Sequence, residues 1–80
     1  MNDQQFLDYV QECVLTGVRR FPGFELSRLC RLSGQQEMAR YWLEAVGAQM
    51  VDCEAPLKLA LVCNAILLAR DLVAEEKHDD

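Results

Sequence analysis

Apolar residues recur at three- and four-residue steps through Phe6, Tyr9, Val10, Cys13, Val14, Gly17 and Val18, which predicts a helix from about Asp3 to Arg19 with one buried stripe. Asn2 or Asp3 is placed to cap its start, and Arg19 and Arg20 suit the negative end of its dipole. The segment Phe21-Pro-Gly-Phe24 then breaks the chain, because proline has no N–H for the helical ladder and disfavours helix at the residue before it. Phe24, Leu26, Leu29, Cys30 and Leu32 crowd into two or three turns and predict a short second helix ending before Gly34.

Ser33-Gly-Gln-Gln36 fits a capping box, so a third helix is expected from Gly34 to about Val46 or a little beyond, with Gly47 a candidate stop and Met50 on the helix if it extends that far. Asp52 and Glu54 precede Pro56 and mark the start of a fourth. From Leu57 to Val73 almost every position is apolar, and a helix apolar all round must be covered all round, by its own domain or by a second chain. Asn64 interrupts that run. It either sets register with a partner helix or bonds locally to a backbone carbonyl or water. The expected fold is therefore all-α, a compact bundle of about four helices with the last almost entirely apolar. Residues 1–74 form its single domain, and residues 75–80 an acidic, disordered tail.

Composition adds two limits. Half the chain is hydrophobic, which excludes a disordered polymer, but eighty residues bury a limited core and leave room for stabilisation by a partner. The net charge of −5 opposes phosphate backbones and anionic lipid alike. The opening residues lack a basic and apolar leader, and Leu57–Ala69 is shorter than the roughly 20 residues of a membrane span. A cytoplasmic protein that does not enter the membrane is expected.

The chain carries no catalytic constellation. Cys13, Cys30, Cys53 and Cys63 contain no C-x-x-C pair and are read as reduced core thiols, so neither a metal nor another cofactor is expected. The one histidine, His78, lies in the acidic tail without a nucleophile or ligand set around it. Asp52 and Glu54 are accounted for as helix-start residues, and an enzyme is not expected.

Two readings compete for the run Arg31 to Val46. A DNA-binding helix-turn-helix aligns poorly: with Ser27 at the small-residue position of the first helix, Arg31 falls where the turn needs glycine and Glu37 where an aliphatic is buried. Its second helix would bring Glu37 and Glu44 to the phosphates beside Arg40, Gln35 and Gln36, although Arg19, Arg20, Arg28 and Arg31 could form a basic face. At about 100° per residue, by contrast, Met38, Tyr41, Trp42, Leu43, Val46 and Met50 belong to an apolar arc about 200° wide, twice the stripe a surface helix needs. With Leu57, Leu61 and Leu68 of the fourth helix, these residues are the candidate interface for another protein, an arc that the monomer's own core could also cover.

Gly34-Gln-Gln-Glu-Met-Ala-Arg40 and Lys58-Leu-Ala-Leu-Val-Cys-Asn-Ala-Ile-Leu-Leu-Ala69 resemble phrases of the small helical, tetratricopeptide-like chaperones of bacterial type III secretion needle subunits. The resemblance implies a groove lined by Tyr41, Trp42 and the apolar face of Leu57 to Leu68. In that family the groove holds an amphipathic helix of the needle subunit, usually with a second small helical chaperone. Trp42, Leu43 and Gly47 do not keep the spacing of a full tetratricopeptide repeat. The sequence thus predicts a non-enzymatic chaperone or adaptor whose third and fourth helices bind a helical protein, a secretion substrate or co-chaperone, or a second copy of itself. The alternatives are a small helix-turn-helix-like DNA-binding regulator and a homodimeric regulatory protein.

Overall fold

The computed structural model describes residues 1–77. Its elements in order are α1 (Asp3–Leu15), β1 (Arg20–Pro22), α2 (Gly23–Leu32), α3 (Gln36–Tyr41) continued by a π-helical turn (Trp42–Val46), β2 (Met50–Asp52) and α4 (Pro56–Lys77). The helical expectation is met in part. Four helices are present among the described residues, but β1 and β2 add an antiparallel ribbon in which Phe21 lies opposite Val51.

The ribbon replaces the expected simple turn at Phe21–Phe24 and takes Met50 off the third helix. Pro22 is tolerated at the strand's end, where its missing N–H breaks no ladder interior. Phe21 is fully buried, so the ribbon carries one of the largest side chains of the core beneath it.

Local chemistry explains the helix limits. Asn2 accepts from the Gln5 amide while Gln5 reaches back to the Asn2 amide, a reciprocal cap that fixes the start of α1. The helix stops at Leu15, not Arg19, as the Val18 amide turns back to the Cys13 carbonyl at 2.8 Å. Arg19 nevertheless meets that end, donating to the Val14 carbonyl.

The Ser33–Gln36 capping box is not formed. Gly34 has a φ of +84°, and the Gln35 and Gly34 amides bond back to Cys30 and Arg31, which makes this segment the terminator of α2. The Ser33 hydroxyl donates backwards to the Cys30 carbonyl, and α3 starts only at Gln36, without a side-chain cap.

The core lies between α1, α2, the ribbon and one side of α4, joining Phe6, Leu7, Val10, Phe21, Leu26, Leu29, Leu32 and Cys53 to Val62, Ala65, Ile66, Ala69 and Val73. The stripe on α1 is rotated from the expected one: Leu7 is fully buried while Tyr9 and Val18 are exposed. The fourth helix is not covered all round either. Residues of α4 at three- and four-residue steps face the core, and Leu57, Leu61, Leu67 and Leu68 face outward. Helix α4 continues to Lys77, past residue 74 where the domain was expected to end; residues 78–80 of the expected tail, with His78, lie outside the described residues.

Candidate functional site

Helix α2 and α3 meet through the buried Ser27 hydroxyl, which donates to the Ala39 carbonyl at 2.6 Å. The start of α2 also sits against the π-helical turn: a Cβ placed on Gly23 would lie 2.8 Å from the carbonyl oxygens of Trp42 and Gly47. The two contacts hold α3 on the outer side of α2, leaving a gap between α3 and α4.

That gap is an apolar cavity of about 230 Å³. Leu26, Leu29 and Cys30 of α2 form its floor; Met38 and Trp42 stand on one side, and Leu61, Val62 and Ala65 on the other. Gln35 and Lys58 are the polar residues of its lining. An engineered apolar cavity of about 150 Å³ holds benzene, so this one has room for a bulky side chain. A larger depression of about 480 Å³ between Asp3, Arg31, Gly34, Leu72, Glu75 and Glu76 is lined by charges of both signs.

The sequence-predicted interface residues divide between the cavity and its surroundings. Met38, Trp42 and Leu61 meet at the cavity. Tyr41 and Leu43 are exposed beyond it, Val46 is half-buried against Gly23, and Met50 is exposed on β2. Leu57 and Leu61 are 79% and 66% exposed, and Leu68 is exposed further along α4. Trp42 belongs to core and cavity at once: it packs against buried residues and stands edge-on to Tyr41. Gln35, Val51, Cys53 and Lys58 escaped sequence reasoning because they come from the link before α3, a strand, a loop and the first turn of α4. No periodicity joins such positions.

Cys30 and Cys53 line the cavity as thiols. Burial pushes both above the ordinary thiol range; hydrogen bonding to Trp42 opposes this at Cys30, and the Lys58 charge opposes it at Cys53, without overcoming it. Protonated thiols are poor nucleophiles and poor metal ligands. Among the described residues no group of three potential metal-ligating side chains comes together, and no helix is long and apolar enough to cross a membrane. Of the basic residues considered for a DNA face, Arg28 pairs with Asp3 and stacks over Phe6, while Arg19 is bound to carbonyls at the end of α1. Comparison of the chain with protein-family models, curated proteins and solved structures finds no match.

Proposed function

We propose that the chain is a non-enzymatic, cytoplasmic protein-interaction module, an adaptor or chaperone, that receives the apolar face of a partner's amphipathic helix between α3 and α4. The observation that carries this reading is the apolar cavity with Met38, Tyr41, Leu57 and Leu61 exposed around it. Contiguous exposed apolar surface of this kind marks interaction sites, and a helix laid in a groove anchors through residues one turn apart. The likeness of Gly34–Arg40 and Lys58–Ala69 to needle-subunit chaperones supports the same mode of binding.

The test is capture of partner proteins by the tagged wild-type chain and by Met38→Glu, with circular dichroism as the check on folding. Met38 is exposed and lines the cavity, so the substitution is expected to keep the helices and remove the partner. Equal capture by both folded proteins would count against the groove.

A further inference from the structure

On α4, Leu57, Ala60, Leu61, Asn64, Leu67 and Leu68 are all exposed and share one side of the helix, away from buried Val62, Ala65, Ile66, Ala69 and Val73. Leu67, at 63% exposure, does not line the α3–α4 cavity, so this seam reaches beyond the groove. Between Lys58 and Arg70 the helix has no charged residue, although the chain has a net charge of −5. Two copies repel each other over most of an acidic surface, and this neutral seam is where they can approach.

We infer that the outer face of α4 pairs with the same face of a second copy, antiparallel and centred on Asn64. This extends the interaction-module reading to a seam that shares Leu57 and Leu61 with the groove and continues past it through Asn64 and Leu67, and it rests on that reading only in treating exposed apolar surface as binding surface. Asn64 argues for a self-partner. An amide both donates and accepts, so it complements itself across a twofold axis, as the matching patches of a symmetric dimer require. A polar residue within an apolar helical seam also fixes register.

Orientation follows from side chains and charge. Antiparallel pairing about Asn64 sets Leu61 near the second copy's Leu68 on one flank, and small Ala60 near the second copy's Leu67 on the other. It also brings Lys58 toward the acidic end of the second copy's α4. Parallel pairing would stack Asp71 on Asp71 and Glu75 on Glu75. Neither Lys58 nor Asp71 takes part in the two ion pairs found among the described residues, Arg28–Asp3 and Arg70–Asp8.

Sedimentation equilibrium of the full chain and five variants, four single and one double, tests the pairing. The wild type is expected to be a reversible dimer. Asn64→Asp and Asn64→Lys each place like charges on the axis and are expected to weaken it at least tenfold, while an equimolar mixture of the two re-forms a dimer. Ala60→Lys or Leu67→Glu alone is expected to weaken it, and the two combined in one chain to recover most of the loss, because antiparallel pairing sets the new charges opposite each other. A wild type monomeric at every accessible concentration, or a mixture that stays monomeric, overturns self-pairing; failure of the combined variant to recover overturns the antiparallel register. All these positions are exposed, and circular dichroism checks that each variant folds. The substitutions leave Met38 and Trp42 in place, so loss of self-pairing with partner capture intact separates this inference from the groove reading.

Discussion

Ser27 and Ala39 are joined across the α2–α3 contact by a buried hydroxyl-to-carbonyl hydrogen bond of 2.6 Å. Both residues are buried, and removing the donor leaves the Ala39 carbonyl with the Trp42 amide as its partner and an empty position that water does not readily reach. Ser27→Ala is expected to destabilise the chain by about 1 kcal/mol in urea unfolding. Since the bond also positions α3, the same variant should bind partners more weakly; unchanged stability and binding would remove Ser27 from the scaffold of the groove.

Gly23 and Gly34 are needed for different reasons. At Gly23 a methyl group would meet Val46 Cγ1 at 2.7 Å and two backbone carbonyl oxygens at 2.8 Å, and backbone cannot rotate away as a side-chain tip can. Gly23→Ala is expected to cost about 1–3 kcal/mol through overpacking and to displace the π-helical turn. At Gly34 there is space, the nearest atom being Leu72 Cδ1 at 3.6 Å, but φ is +84°. Gly34→Ala therefore costs about 1 kcal/mol of backbone strain without moving α3. Thermal unfolding ranks the two, and the near-ultraviolet circular dichroism of Trp42 should change only for Gly23→Ala.

These contacts show why the sequence conveyed the helices better than their arrangement. Apolar spacing identifies α1 because Phe6, Leu7 and Val10 must face one core, yet that spacing does not decide whether Leu7 or Tyr9 faces it; packing against α4 does. Ser33 and Gln36 have the chemistry of a cap, but Gly34 takes the left-handed conformation that ends α2 first. The ribbon is three residues on each side, too short for alternation to register, and its partners lie far apart in sequence. Of the candidate site, Met38, Trp42 and Leu61 were legible because each sits on an apolar helical face. Lys58 and Cys53 were not, since only the fold brings them beside α2.

Trp42 and Leu61 are expected to respond differently to mutation although both line the cavity. Trp42 is half-buried against the core, so Trp42→Ala removes packing as well as cavity wall and should cost about 3 kcal/mol of stability. Leu61 is 66% exposed, and Leu61→Glu should change stability by only about 0.5 kcal/mol. Binding should fall in both. Urea unfolding beside a partner-binding assay distinguishes them, and a folded Trp42→Ala as stable as wild type would place the indole in the interface alone.

Tyr9 donates its hydroxyl to Glu25 Oε2 at 3.2 Å, and its pKa is pushed from 10.0 up to about 12, by burial of the hydroxyl first and by the neighbouring Glu25 charge second. A raised pKa means that the folded state prefers protonated tyrosine. This contribution to stability is complete below pH 10, where the unfolded chain also keeps its proton, and is lost as pH rises toward about 12. The ring is 40% exposed, so solvent reduces the size of the effect without changing its sign. Cys30 and Cys53, also raised by burial, add a loss of the same sign from the thiol range upward, so the informative quantity is the difference between wild type and Tyr9→Phe. Urea unfolding at a series of alkaline pH values is expected to show the wild type losing stability faster than Tyr9→Phe between pH 10 and about 12. Parallel curves through that window would show that the Tyr9–Glu25 contact does not govern the titration of the phenol.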